Sequence, residues 1–193
     1  MTVPQVREFV RATKPTFAGA LQLLRSKFHE ERLAGLIALV KLHEKGDAAI
    51  RKRIFETYLA NTDRINNWDL VDTSAPQIVG AHLLDRDRTI LRRLARSKKL
   101  WERRIAMVAT QRLIRSGEVA TTMQIAAMLI EDEHDLIHKA VGWMLREAGK
   151  EDKAALIAFL AEHAATMPRT ALRYAIEKFP APERKRWLGA KDE

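Results

Sequence analysis

Apolar side chains recur every three to four residues along most of this chain, and no stretch alternates as a strand would. The pattern is clearest in 32–43, through Leu33, Leu36, Ile37 and Val40. It returns in 100–114, through Ile105, Val108 and Leu113, and in 136–145, through Ile137, Val141, Met144 and Leu145. Such spacing puts one apolar stripe on each helix, and each stripe must be covered by another helix. Only 8 Gly and 6 Pro interrupt 193 residues. Breaks are expected near Gly46-Asp47, from Asn61 to Asn67, at Ser97, Ser116-Gly117, Asp132-Glu133, Gly149, Met167-Pro168 and Pro180-Ala181-Pro182. The helices between them are short to medium and closely connected, so neighbours should pack antiparallel. The chain is read as all-α, a single domain over 1–193.

The helices also repeat. Arg32, Trp68, Arg104 and Lys139 are separated by 36, 36 and 35 residues, with about two helices in each interval. That period is close to the HEAT-type helical repeat. Repeats of this kind stack into an α-superhelix whose equivalent positions line one concave face. Trp68 and Arg104 are therefore expected on one surface.

Composition narrows the chemistry. There is no cysteine, which excludes disulfides and thiolate metal sites. No apolar run is long enough for a membrane span and no signal-peptide core opens the chain, so a cytoplasmic, nucleoid-associated protein with no membrane partner is expected. Lys and Arg number 34 against 25 Asp and Glu, a formal charge of +9, which favours a polyanionic partner. Nine basic residues fall between Arg86 and Arg104, against only Asp87 and Glu102. Within that window Arg92, Arg96, Lys99 and Arg103 recur at helical spacing and are read as a phosphate-facing stripe, the alternative being a solvated helix face. His134 and His138 have a spacing that can ligate zinc, but no third ligand accompanies them, so no metal is expected. No Walker loop or dinucleotide fingerprint is present, and no cofactor is expected.

The segment Trp68-Asp69-Leu70-Val71-Asp72 carries the most chemistry. On a helix, Trp68 and Asp72 are one turn apart and share a face. An aromatic surface beside a fixed carboxylate suits an electron-poor, cationic ring and a cationic transition state. The alternative for Asp72 is to cap a helix starting near Thr73-Ser74. Trp68 follows Asn66-Asn67 and precedes Asp69, which weakens a core reading. For Trp143, between Gly142 and Met144, a core role and a site role both stay open. Trp101 and Trp187 are read as structural.

These residues resemble the AlkD-like DNA glycosylases, helical-repeat proteins that excise alkylated purines. The likeness runs from Val3 to about Phe179. It is carried by Trp68-Asp69-Leu70-Val71-Asp72 with Pro76 and Gly80, by Trp101-Glu102-Arg103-Arg104-Ile105-Ala106, and by the run Ile137 to Glu147. The resemblance implies a monomeric glycosylase acting on double-stranded DNA that contains alkylated purines. It also implies an aromatic–acid pair at Trp68 and Asp72, an active-site arginine at Arg104 and a second tryptophan at Trp143. The segment Val3 to Arg7 looks like one that members carry some tens of residues in, so one or two N-terminal helices are expected to be missing.

Alkylation at N3 or N7 makes a purine cationic and a good leaving group, and departure of the base builds positive charge on the sugar. Asp72 is the candidate to stabilise that charge and orient water. Trp68 and Trp143 would present ring faces to the sugar-phosphate or the base. Arg104 would hold the adjacent phosphate, or pair with Asp72; an internal structural salt bridge is its other reading. Arg103, Lys139, Arg146, Arg169 and Arg173 are further backbone-binding candidates, the last two a turn apart after Pro168. No nucleophilic lysine in a helix-hairpin-helix supports a lyase step. The competing class is a non-catalytic helical-repeat module that binds nucleic acid or protein.

Overall fold

The periodicity resolves into short helices joined by polar turns. A computed structural model describes residues 2–189, and among them every element is helical. They divide into two compact units, Met1–Arg86 and Asp87–Glu193. The first holds α1 (Val3–Ala12), α2 (Phe17–Leu24), α3 (His29–Lys45), α4 (Ala48–Ala60), a 3-10 turn at Thr62–Arg64, α5 (Trp68–Asp72) and a π-helical turn at Pro76–Gly80. The second holds α6 (Thr89–Ala95), α7 (Leu100–Ala109), α8 (Gln111–Ile114), α9 (Ala120–Leu129), α10 (Asp135–Glu151), α11 (Lys153–His163), α12 (Arg169–Ala175) and α13 (Ala181–Gly189). No helix among the described residues is long and apolar enough to cross a membrane.

Each unit is organised around one long helix. In the first, α3 packs on α1, α2, α4, α5 and the π-helical turn. It buries Leu33, Leu36 and Leu39 with Ile54 and Tyr58 of α4, Leu70 of α5 and Ile78. In the second, α10 packs on α7, α8, α9, α11 and α12. Ile137, Val141, Met144 and Leu145 are buried there with Ile105, Val108, Leu156 and Leu172. Each such side chain contributes about 1.5–3 kcal/mol on leaving water, which offsets the low intrinsic stability of helices this short.

Three helices start by one device. Ser26 Oγ accepts from Phe28 N (3.1 Å), Ser97 Oγ from Lys99 N (3.1 Å) and Asp132 Oδ1 from His134 N (2.9 Å). A cation or imidazole six residues after each of them then returns to its carbonyl. Arg32 Nη1 donates to Ser26 O (3.3 Å), Arg103 Nη1 donates to Ser97 O (3.1 Å), and His138 Nε2 bonds Asp132 O. The equivalent of Arg32 is therefore Arg103, not Arg104. The repeat register shifts by one, to Leu33, Trp68, Arg104 and Lys139. His138 and His134 are both used in this turn, since His134 Nδ1 accepts from Leu136 N at 3.2 Å.

Two further expectations change. Gly149 does not break a helix; α10 runs through it to Glu151. A Cβ there would stand 2.3 Å from Leu156 Cδ2, so the glycine admits α11 rather than ending α10. Gly142 does the same for α12, where a Cβ would stand 2.4 Å from Ala171 O. The stripe Arg92, Arg96, Lys99, Arg103 is not one helical row. α6 stops at Ala95, Arg96 caps it, and α7 begins only after Lys99.

Unit one also buries an imidazole. His43 is 4% exposed, and its Nε2 has no hydrogen-bond partner among the described residues. Burial, with Arg51 and His82 nearby, holds its pKa down to about 4. His82, stacked on Phe55 with ring centroids 4.0 Å apart, is lowered too, first by burial and then by Arg86. Between the ordinary imidazole value and about 4, the unfolded chain binds the proton that the folded one refuses. Stability is therefore whole above about pH 6.5 and falls as pH drops toward 4, by at most about 3 kcal/mol for His43. Urea midpoints at pH 7 and pH 4.5 should differ less in His43→Leu than in wild type.

Candidate functional site

Helix α5 is a single turn with Trp68 at one end and Asp72 at the other, so the i, i+4 pairing holds. Asn67 Oδ1 accepts from Trp68 N at 2.8 Å and starts the turn. Trp68 is 52% exposed, which removes it from the core. Asp72 is half-buried. It does not cap a following helix, because the next helical element has Ala75 at its N-cap. Thr73 and Ser74 instead close α5. Thr73 Oγ1 donates to Asp69 O (2.6 Å) and Ser74 Oγ donates to Leu70 O (2.5 Å).

The turn is braced from behind. Ser74 spends its single proton on Leu70 O, so the 3.0 Å contact with Tyr58 must be donated by the tyrosine. Tyr58 is fully buried, and its hydroxyl is pushed well above the usual tyrosine range, chiefly by burial and further by the Asp72 charge. On the other side, His29 Nε2 donates to Asp69 Oδ2 at 2.7 Å, while Asp69 Oδ1 accepts from Leu70 N at 2.9 Å. Neither brace was foreseen. His29 and Asp69 stand forty residues apart, and no spacing rule links them. A solvent-facing indole and a carboxylate thus sit on a turn whose backbone cannot easily shift. Such a pair can hold a cationic ring and oppose a developing positive charge.

Unit two gathers a different set. Arg104 is only 5% exposed and donates from Nη1 to Leu136 O at 2.5 Å, across from α7 to the first turn of α10. Lys139 Nζ lies 2.7 Å from Asp135 Oδ2. Its pKa is raised, first by that hydrogen bond and charge, with Arg104 opposing. Trp143 is half-buried, one turn after Lys139 on α10. Arg104, Lys139 and Trp143 therefore occupy one region of unit two.

The other basic candidates differ in freedom. Arg103 grips Asp132 through Nε (2.5 Å) and Nη2 (3.3 Å), besides the carbonyls of Ser97 and Lys98. Arg146 is held by Glu147 and Glu177. Arg169 donates to Leu188 O and ties α13 to α12. Arg173 is exposed, with no side-chain partner among the described residues. Arg93 and Arg96 are exposed as well. Trp101 and Trp187 are half-buried, and the Arg186 guanidinium lies 5.8 Å from the Trp187 ring centre.

Comparison with known proteins follows the same lines. The profile of the family described as DNA alkylation repair enzyme matches residues 1–179. A solved structure of a predicted DNA alkylation repair enzyme from Enterococcus faecalis shares the fold, with a TM-score of 0.68 and 15% identity, over 92% of this chain and 82% of that one. No curated protein matches the chain.

The brace behind α5 can be tested by itself. Ser74→Ala strips Leu70 O and the buried Tyr58 hydroxyl of their partner. It should cost about 1–3 kcal/mol in urea unfolding, and Tyr58→Phe in the same background should recover part of the loss.

Proposed function

Because this chain belongs to the family of DNA alkylation repair enzymes, we propose that it is a monofunctional glycosylase hydrolysing the N-glycosidic bond of cationic alkylated purines in duplex DNA. Substrates would be of the 3-methyladenine and 7-methylguanine type. The observation that carries this reading is the exposed Trp68 one turn from half-buried Asp72, on a turn anchored by Tyr58–Ser74 and His29–Asp69.

The bond between the sugar and the alkylated nitrogen breaks with its electron pair going to the base. The base's own positive charge is thereby neutralised, and it leaves without protonation. The sugar carbon becomes oxocarbenium-like. Asp72, ionised, faces that charge and orients a water whose oxygen bonds to the carbon, and the proton released goes to the carboxylate or to solvent. Trp68 offers its ring face to the cationic base or the sugar. Arg104 and Trp143 address the backbone and sugar, and Lys139 and Arg173 supply phosphate contacts. Arg103, Arg146 and Arg169, like Arg104, have internal partners that DNA would have to displace, and these three, outside the active-site set that the resemblance implies, are the weaker contributors.

A second reading, a non-catalytic module binding nucleic acid or protein, draws on the engagement of Arg104 with the α10 backbone. Single-turnover release of 7-methylguanine and 3-methyladenine separates the two. Asp72→Asn should slow release by roughly 10²-fold or more, with DNA affinity unchanged or tighter. Arg104→Ala should weaken both affinity and rate. Unaltered release by Asp72→Asn would refute the electrostatic role, and no release by wild type would favour the module.

A further inference from the structure

The corrected register has one more member. From Leu33, steps of 35, 36, 35 and 35 residues lead to Trp68, Arg104, Lys139 and then Tyr174. Tyr174 lies in α12 and is 38% exposed, among the few large apolar side chains so placed. We propose that its hydroxyl donates to a backbone phosphate of bound DNA, beside the ammonium of Lys139. This rests on the DNA-binding reading above.

Three observations support it. First, Tyr174 is seated firmly: its Cβ fills the space left by Gly142, 2.5 Å from where a Cβ on that residue would stand. The base of the side chain is therefore fixed at the α10–α12 contact. Second, Lys139 stands one turn before Gly142 on α10, the position against which Tyr174 packs, and lies within electrostatic reach of both Tyr174 and Arg104. Third, the lysine is posted there. Asp135, one turn before Lys139 on α10, holds its ammonium at 2.7 Å. An ammonium has three donors, so Asp135 can keep one while a phosphate takes another. The Tyr174 hydroxyl makes no hydrogen bond with another side chain among the described residues. A neutral donor fixed beside a cation, with no internal partner, recognises an anion by geometry as well as charge.

The two groups should differ in salt dependence. Phosphate neutralisation by a cation releases counterions, whereas a neutral hydroxyl releases none. Binding of an unmodified duplex should be followed by anisotropy across a salt series for wild type, Tyr174→Phe and Lys139→Gln. Tyr174→Phe keeps the ring and its packing, and should weaken binding about 5- to 10-fold at every salt concentration with the log–log slope unchanged. Lys139→Gln should lower the slope by about 0.9. Wild-type affinity in Tyr174→Phe, or a changed slope there, overturns the proposal. If that occurs while wild type still binds DNA and releases methylated purine, only the tyrosine assignment fails. If wild type binds no duplex, the reading beneath it fails as well.

Discussion

The clamp at the start of α3, α7 and α10 is the constraint on which the remainder depends. A cation or imidazole reaches back six residues to the carbonyl that closes the previous turn, at Arg32, Arg103 and His138. Helix ends leave carbonyls unsatisfied, and this contact supplies a partner while fixing the angle at which the next helix departs. The residue directly after the clamp is then placed in a set direction. Those residues are Leu33, Arg104 and Lys139. Asn67 precedes Trp68 at the same step, but its oxygen is spent on the backbone of Trp68, and the helix there is one turn long. The repeat is thus interrupted at the Trp68–Asp72 turn. Shortening the helix exposes Trp68 instead of burying it as Leu33 is buried.

The same logic separates two adjacent arginines. Arg103 serves the scaffold through Asp132 and two carbonyls. Arg104 carries its charge into a nearly closed position against the α10 backbone. A guanidinium held this way has little side-chain freedom left to lose.

Much of the fold was legible in the residues. The apolar spacing in α3, α7 and α10 marked the helices that bury those side chains, and Trp68 with Asp72 bounded a helical turn as their spacing required. Residue type alone leaves the register open by one, because Arg32 resembles Arg104 as much as Arg103. Only the carbonyl each one reaches tells them apart. Gly149 reads as a stop in sequence because glycine has two uses, and the need to admit Leu156 leaves no trace in local sequence. The row from Arg92 to Arg103 was continuous in spacing yet crossed a turn at Ser97 that a serine hydroxyl creates. The braces His29–Asp69 and Tyr58–Ser74 join distant segments, and only packing could place them together.

The central claim is that the Asp72 carboxylate is complementary to a cationic sugar. It is tested most directly by binding rather than turnover, with duplexes carrying either a cationic pyrrolidine or a neutral tetrahydrofuran in place of one deoxyribose. An electrostatic site binds the species that resembles its transition state more tightly. Wild type should prefer the cationic duplex by about 10-fold or more, and Asp72→Asn should lose that preference while keeping its affinity for the neutral one. Equal preference in the two proteins would contradict the claim.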